Sequence, residues 1–155
     1  MPDCLPAQDK DIVGWIEKVK IYSVGEDGLF LKAKLDTGAK SSALHAVNVT
    51  KFKRSGKDWV KFTLNDKKGE SVTIEKEIVR TTMVKRKNSK PEERVVILIG
   101  ICVGSAYKTG EVSLADRSNL NYPVLLGRAF LKGSFIIDPG ETFTHKPVCK
   151  GISKK

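Results

Sequence analysis

A single aspartate, Asp36, follows a strand-like segment and begins a tight loop. Apolar residues recur at every second position from 29 to 35, a period of two that predicts a half-buried strand with Asp36 at its end. Gly38 allows a close approach of the backbone to a neighbouring segment, and the Thr37 hydroxyl can both donate and accept hydrogen bonds. Such a loop can fix one carboxylate for acid or base chemistry while the backbone of Ala39 stays available to a substrate.

A second informative segment runs from 122 to 131 and reads Tyr-Pro-Val-Leu-Leu-Gly-Arg-Ala-Phe-Leu. Asp-Thr-Gly alone is a weak signal, because Asp-x-Gly is common in ordinary turns. Together, however, the tracts 36–39 (Asp-Thr-Gly-Ala) and 125–128 (Leu-Leu-Gly-Arg) resemble the pattern of retropepsins. In that family a flap hairpin separates the two tracts, and an arginine after the second glycine often opens a short helix. Segment 134–138 then resembles the terminal strand.

The string Ser-Leu-Ala-Asp-Arg-Ser at 113–118 narrows this resemblance. It is similar to a retropepsin-like group of bacterial and archaeal proteins that are labelled ATP-dependent zinc proteases and include RimB. The resemblance covers about residues 13 to 140. Members of the group stand functionally beside RimK-type glutamate ligases, which append glutamates to a ribosomal protein. The resemblance therefore implies an aspartic peptidase that acts on an acidic substrate, with a glutamate tail as one candidate.

The strand pattern predicts an all-β protein of one domain in the 155 residues of the chain. Short apolar segments alternate with glycine-containing turns, one of them at 25–28, and helical candidates occur only near Asn121 and at 129–131. We expect a closed acid-protease (retropepsin-like) barrel with one or two short helices. The other expected strands are 13–21, 59–64, 71–78, 94–101 and 111–114. We place a polar N-terminal arm at 1–12, the barrel at 13–143 and a basic C-terminal tail at 144–155.

Only one Asp-Thr-Gly loop is present. Aspartic proteases hold two carboxylates so close together that they share one proton, so the second Asp36 must come from another copy of the chain. This predicts a homodimer with its active site at the two-fold axis. Thr37 would brace the two loops across that axis, and Gly38 with Ala39 would bind an extended peptide as a strand.

The residue after this loop departs from the viral pattern. Viral retropepsins usually place an aspartate there, which pairs with the arginine of the second tract, whereas this chain has Lys40. Arg128 therefore needs another partner, and we expect Asp116 or Asp138, with Asp116 a structural acid for Arg128 or Arg117. The residues assigned to structural support of the site are Leu126, Gly127, Arg128 and Asp116. Lys40 would line the substrate site and favour ionised carboxylates nearby.

The chain is basic, with 28 Lys and Arg against 18 Asp and Glu and a net charge of +10. This favours anionic partners. A basic stretch, 83–92, occupies the position of the retropepsin flap, and its cations would close over an acidic substrate. These cations are Lys85, Arg86, Lys87 and Lys90. The alternative is a solvated hairpin end without a specific partner. Few aromatic residues accompany the stretch, so nucleic acid is the less favoured partner.

The cysteines and histidines suggest neither disulfides nor a metal. Cys4, Cys102 and Cys149 are odd in number and widely spaced, so we expect reduced thiols. His45 and His145 do not form a His-Glu-x-x-His motif, and segment 100–109 lacks the Gly-Lys-Ser/Thr ending of a phosphate loop. We expect no cofactor. Without a secretory or transmembrane apolar run, we expect a cytoplasmic protein with no membrane partner.

Two functional hypotheses follow from these patterns. The first is a homodimeric aspartic peptidase that hydrolyses an acidic protein substrate through a water activated by two copies of Asp36. The second keeps the barrel but not the catalysis, and has the basic loops bind an acidic peptide or RNA. Loss of turnover on Asp36→Asn with an intact fold would favour the first.

Overall fold

The computed structural model describes residues 9–22, 28–85 and 88–151. In these residues the chain forms eleven strands and one short helix. In chain order they are β1 (Asp11–Tyr22), β2 (Leu29–Leu35), β3 (Ser42–His45), β4 (Val47–Arg54), β5 (Lys57–Asn65), β6 (Ser71–Glu77), β7 (Arg80–Val84), β8 (Glu92–Val103), β9 (Ala106–Ala115), β10 (Val124–Leu126), α1 (Arg128–Leu131) and β11 (Phe135–Thr142).

Six of the strands close into a barrel. They follow the order β1-β2-β10-β3-β9-β8, and an antiparallel pairing of β8 with β1 completes the ring. Strand β11 pairs with β1 in parallel, and β7 extends the sheet beyond β8. A separate antiparallel sheet of three strands contains β4, β5 and β6. The expected closed, all-β barrel is therefore confirmed.

One apolar core unites the barrel and the smaller sheet. In β2, alternate residues from Leu29 to Leu35 are buried, as the period of two predicts. Val60, Phe62, Leu64 and Ile74 of the three-stranded sheet belong to the same buried cluster as the barrel strands. Burial of so much apolar surface in one place makes the smaller sheet part of the same folding unit.

The structure corrects several details of the predicted elements. Most of the expected strands are present with wider bounds, although β6 ends one residue earlier than expected. β3, β4, β7 and β10 were not foreseen. The expected helix near Asn121 is absent, because residues 118–121 form turns and bends, and α1 alone is helical in the part of the chain that the structure describes. Within that part, no helix is long and apolar enough to cross a bilayer. Most of the turn predicted at 25–28 lies outside the described residues.

A buried carboxylate fixes the chain after β11 to the barrel. Glu17, only 1% exposed, accepts hydrogen bonds from the backbone N–H of Gly14 at 2.7 Å and of Thr144 at 3.0 Å, and from the Thr144 hydroxyl. Further along, the Val148 N–H donates to the Gly104 carbonyl at 2.8 Å. The segment predicted as a basic tail at 144–155 thus begins with residues that are bonded to the barrel.

A disulfide joins Cys102 in β8 to Cys149. The expectation of reduced thiols was therefore wrong for these two residues. Their sequence separation of 47 residues matches no spacing pattern that would reveal the pair. The pairing becomes evident only when the contact between Val148 and Gly104 brings the end of the chain onto the β8–β9 turn.

Cys149→Ser should lower the free energy of unfolding by about 2–4 kcal/mol, because the unfolded chain loses a cross-link that closes a long loop. Urea denaturation of the wild type and the variant, with and without a reductant, measures this. The reductant should bring the wild type to the variant's stability. Equal stability of the two proteins under oxidising conditions would contradict the prediction.

Candidate active site

The site is built where β10 lies between β2 and β3. β10 runs parallel to β2, with Leu126 opposite Leu35, and antiparallel to β3, with Leu125 opposite Ala43. The Asp36 N–H donates to the Leu126 carbonyl at 2.8 Å, immediately beyond the paired residues. The loop that carries Asp36 therefore lies beside the residues that follow β10.

Gly127 is in very close contact with this loop. A Cβ atom at Gly127 would lie 2.5 Å from the carbonyl oxygen of Ser41 and 2.8 Å from that of Ala39. The N–H of Gly127 donates to the hydroxyl of Ser42 at 3.0 Å, and the Ser42 side chain is buried. The contacts show why a glycine is needed at this position.

The first residues of α1 hold the other carbonyl groups of the loop. The Arg128 N–H donates to the Ala39 carbonyl at 2.8 Å, and the Ala129 N–H donates to the Lys40 carbonyl at 3.0 Å. Since these are early N–H groups of the helix, they would otherwise lack partners within it. Gly127 and α1 thus give the backbone after Asp36 a defined path.

The Asp36 side chain is partly exposed at the mouth of this loop. Its Oδ1 accepts a hydrogen bond from the Gly38 N–H at 2.8 Å, and its Oδ2 lies 3.9 Å from the Lys34 ammonium. Among the residues that the structure describes, the partners of Asp36 are a backbone N–H and an ammonium group, and no carboxylate pairs with it. One copy of the described chain therefore presents one carboxylate, braced by a backbone N–H and adjacent to a cation.

Arg128 has a different partner from those expected. Its guanidinium donates to the backbone carbonyl of Thr37 at 3.0 Å, so it braces the loop through the main chain. The Asp116 carboxylate accepts hydrogen bonds from the N–H and the hydroxyl of Ser118, and that of Asp138 accepts one from the Gly140 N–H. Both aspartates thus stabilise local turns, and the contact of Arg128 is the main chain of Thr37 instead.

One face of the sheet connects the loop to a wide cleft. Strand pairing places five residues in a single cross-strand row that begins beside Asp36, namely Lys34, Leu125, Ala43, Ser113 and Val96. Residues two apart on a strand share a face, so the Asp36 side chain continues the face of Lys34. A cleft of about 660 Å³ lies over the last four residues of this row, bounded by β7, β8, β9 and the start of α1, and Lys40 connects it to the Asp36 loop.

The cleft is rich in cations. Those that line it are Lys40, Arg80, Arg94, Lys108 and Arg117. Lys40 was expected in the substrate site, whereas no substrate role was predicted for Arg94 or Arg117, or for Lys34 beside Asp36. The alternation of faces along a strand could have revealed that Lys34 and Arg94 point away from the core, because they alternate with buried residues of β2 and β8.

The predicted flap stretch, 83–92, joins the paired ends of β7 and β8, where Val84 lies opposite Glu92. Its position in a hairpin beside the cleft is as expected. Lys85 and Lys90 are exposed near the hairpin end. Arg86 and Lys87 lie outside the described residues, so their expected role stays a prediction.

The two histidines do not fit a zinc site. His45 Nδ1 accepts the Arg117 N–H at 2.8 Å, and His145 Nε2 lies 3.3 Å from the Ile12 carbonyl. Within the described ranges, no three His, Cys, Asp or Glu side chains are grouped so that they could hold a metal. The group that this chain resembles is labelled as zinc proteases, but that part of the chain contains no set of ligands that would hold a zinc ion.

Comparison with protein families agrees with this arrangement of strands. The model of the RimB-like family, described as "Retropepsin-like aspartic endopeptidase RimB", matches residues 12–147. The chain belongs to the RimB-like family. This RimB-like chain is also similar to a solved structure from Legionella pneumophila, described as a protein of unknown function. The two are 37% identical with a TM-score of 0.73, over 87% of this chain and 98% of the other.

Curated relatives of the RimB-like chain are longer proteins. It is 33% identical over 140 residues to a protein of Shewanella pealeana, and 30% identical over 133 residues to one of Desulfotalea psychrophila. Both are named "Probable alpha-L-glutamate ligase". The matches cover 88% and 84% of this chain but only 30% and 28% of those proteins. The RimB-like chain thus spans less than a third of the length of these relatives.

Gly127→Ala should destabilise the protein by about 1–3 kcal/mol, because backbone atoms of the Asp36 loop would have to move to admit a methyl group. Gly140→Ala is a matched control, since its Cβ would be 3.4 Å from Asp138 Oδ1, an ordinary contact. Thermal unfolding of the two variants measures the difference. Equal melting temperatures would contradict this role of Gly127.

Proposed function

We propose that this RimB-like protein is an aspartic peptidase that hydrolyses peptide bonds of an acidic, glutamate-tailed protein substrate. The observation that carries the proposal is the Asp36 loop. β10 and Gly127 hold its backbone on a defined path, and residues 40–42, which follow it, line a cationic cleft. A catalytic carboxylate needs such a fixed position, because a small displacement of a reacting group lowers the rate strongly.

Two copies of the chain would complete the catalytic group. Asp36 of one copy and Asp36 of the other would face each other across a two-fold axis and share one proton. The ionised carboxylate would take a proton from a bound water, and the protonated one would donate to the carbonyl oxygen of the peptide. Collapse of the resulting intermediate releases an amine and a new carboxylate, with one water consumed for each bond broken.

The backbone near Asp36 suits an extended peptide. Gly38 and Ala39 would offer main-chain groups to a substrate strand, while the β7–β8 hairpin would cover it from the other side. Thr37 would brace the loops of the two subunits across the axis. Lys34 would place a positive charge 3.9 Å from Asp36 Oδ2.

Two observations support an acidic substrate. The first is the group of cations in the cleft, which favours anionic residues in the part of the substrate that lies there. The second is that relatives named as alpha-L-glutamate ligases include a segment similar to this chain. A ligase that joins glutamates and a peptidase that hydrolyses glutamate linkages would act on the same kind of tail in opposite directions.

A non-catalytic binder of acidic peptides remains the second candidate. The observation that favours it is the same cationic cleft, because charge alone can hold an acidic peptide without any turnover. The two candidates differ in one consequence, since only the peptidase requires the carboxylate of Asp36.

Asp36→Asn should reduce cleavage of a glutamate-tailed peptide by roughly a thousandfold or more, because it removes the shared proton and the base. Asp66→Asn is a matched control, since Asp66 stabilises the β5–β6 turn away from the cleft. Mass spectrometry of peptide products across pH values measures the rates. A chelator should leave wild-type cleavage unchanged.

Cleavage that persists in Asp36→Asn would contradict the assignment of this aspartate. If a chelator abolished wild-type cleavage, the reaction would require a metal. Binding of the peptide without cleavage by any of the three proteins would favour the non-catalytic binder.

A further inference from the structure

The geometry points to Arg117, with Arg94 beside it, as a subsite that binds one carboxylate side chain of the substrate at a distance from the hydrolysed bond. This inference rests on the proposed function for the identity of the substrate. It goes beyond that function because it names the residues that would select glutamate and predicts that a single position of the substrate is read.

Both arginines lie beyond the cross-strand row, on the side away from Asp36. Arg94 is two residues before Val96 of the cross-strand row, and Arg117 is four residues after Ser113, just beyond β9. Both side chains line the cleft. Since β9 is three strands from β2 in the barrel order, and strands are about 4.8 Å apart, the strands are separated by roughly 14 Å. The register places Asp36 two residues from the row in one direction and Arg117 four residues from it in the other, which adds about 20 Å along the strands. A carboxylate at Arg117 would therefore belong to a residue several positions from the cut bond.

Arg117 is held in place by groups that leave its charge unneutralised. Its Nε donates to the Tyr122 carbonyl at 3.0 Å, and its backbone N–H donates to His45 Nδ1 at 2.8 Å. These bonds hold both the backbone and the side chain of Arg117 in place. In the described part of the chain no carboxylate pairs with Arg117, whereas Arg80 pairs with Glu111 and Arg94 with Glu92 in the same cleft.

The surroundings of Arg117 favour an added anion. Burial lowers the pKa of its guanidinium, and the nearby positive charge of Arg94 lowers it further. Both causes disfavour the charged form of Arg117. An anion placed between the two arginines would offset the repulsion from Arg94. The Arg94 side chain is only 17% exposed and its Nε donates to Glu92 at 2.7 Å, so it too has a defined position.

A carboxylate fits this site better than a single-point acceptor would. A guanidinium offers parallel N–H groups that match the two oxygens of a carboxylate. The site is partly shielded from water, where charge-assisted hydrogen bonds are stronger than on an open surface. A glutamate side chain several positions from the cut bond, with its flexible stem, could reach the arginine while the cut bond itself lies at the Asp36 loop.

The first test measures binding with the Asp36→Asn protein, so that cleavage does not interfere. Fluorescence anisotropy gives the affinity for a labelled oligoglutamate peptide and for peptides in which one glutamate at a time is replaced by glutamine. We expect one position to stand out, with a loss of affinity of about tenfold or more. Equal small losses at every position would overturn the subsite, because they would indicate general attraction by the basic surface.

Variants of the protein test the residue assignment. Arg117→Gln should weaken binding of the oligoglutamate peptide by about tenfold or more and remove the sensitivity to the selected position. Arg117→Lys keeps the charge but not the paired donors, so it should restore affinity only in part. Arg54→Gln is the matched control, since Arg54 pairs with Glu75 on the smaller sheet. An effect of Arg117→Gln no larger than that of Arg54→Gln would overturn the proposal.

Turnover separates this inference from the proposed function. If the binding results are as expected but the wild type cleaves no glutamate peptide, the subsite stands and the peptidase assignment fails. If the wild type cleaves the peptides and Arg117→Gln keeps the same ratio of kcat/KM for glutamate and glutamine at every position, the subsite fails and the peptidase stands. Displacement of the peptide by a short oligoribonucleotide of equal charge, at equal concentration, would also overturn selection of a carboxylate.

Discussion

The close packing of Gly127 against the backbone of residues 39–41 is the contact on which the site depends. It allows β10 to lie between β2 and β3, and so brings together two tracts that are far apart in sequence. The same contact places the first N–H groups of α1 on the carbonyls of the loop. The position of Asp36 therefore follows from backbone packing that tolerates no side chain at Gly127.

The sequence predicted the strand and the loop that carry Asp36, but not all of the elements around them. The alternation from Leu29 to Leu35 predicted the strand before Asp36, and the resemblance of the two tracts predicted the barrel. It did not reveal the partner of Arg128, because that partner is the carbonyl of Thr37, and a carbonyl has no sequence signal. Contacts of side chains with the main chain can be found only after the path of the backbone is known.

The same limitation explains the disulfide and the cleft. Cys102 and Cys149 meet because the end of the chain returns across the barrel, held by the buried Glu17 and by Gly104. Arg117 joins the cleft only because β9, β3 and β10 are neighbours in the sheet. In sequence, Arg117 was visible as part of a family motif, but its proximity to Arg94 depends on long-range strand pairing.

The central claim is that two copies of Asp36 act together, and mixing of subunits tests it most directly. Wild-type and Asp36→Asn chains, tagged differently and coexpressed in equal amounts, should form dimers of which only about a quarter contain two wild-type subunits. Cleavage per wild-type subunit should then fall to about half of its value in the pure wild type. If cleavage per wild-type subunit is unchanged in the mixed dimers, each chain acts alone and the shared dyad is contradicted.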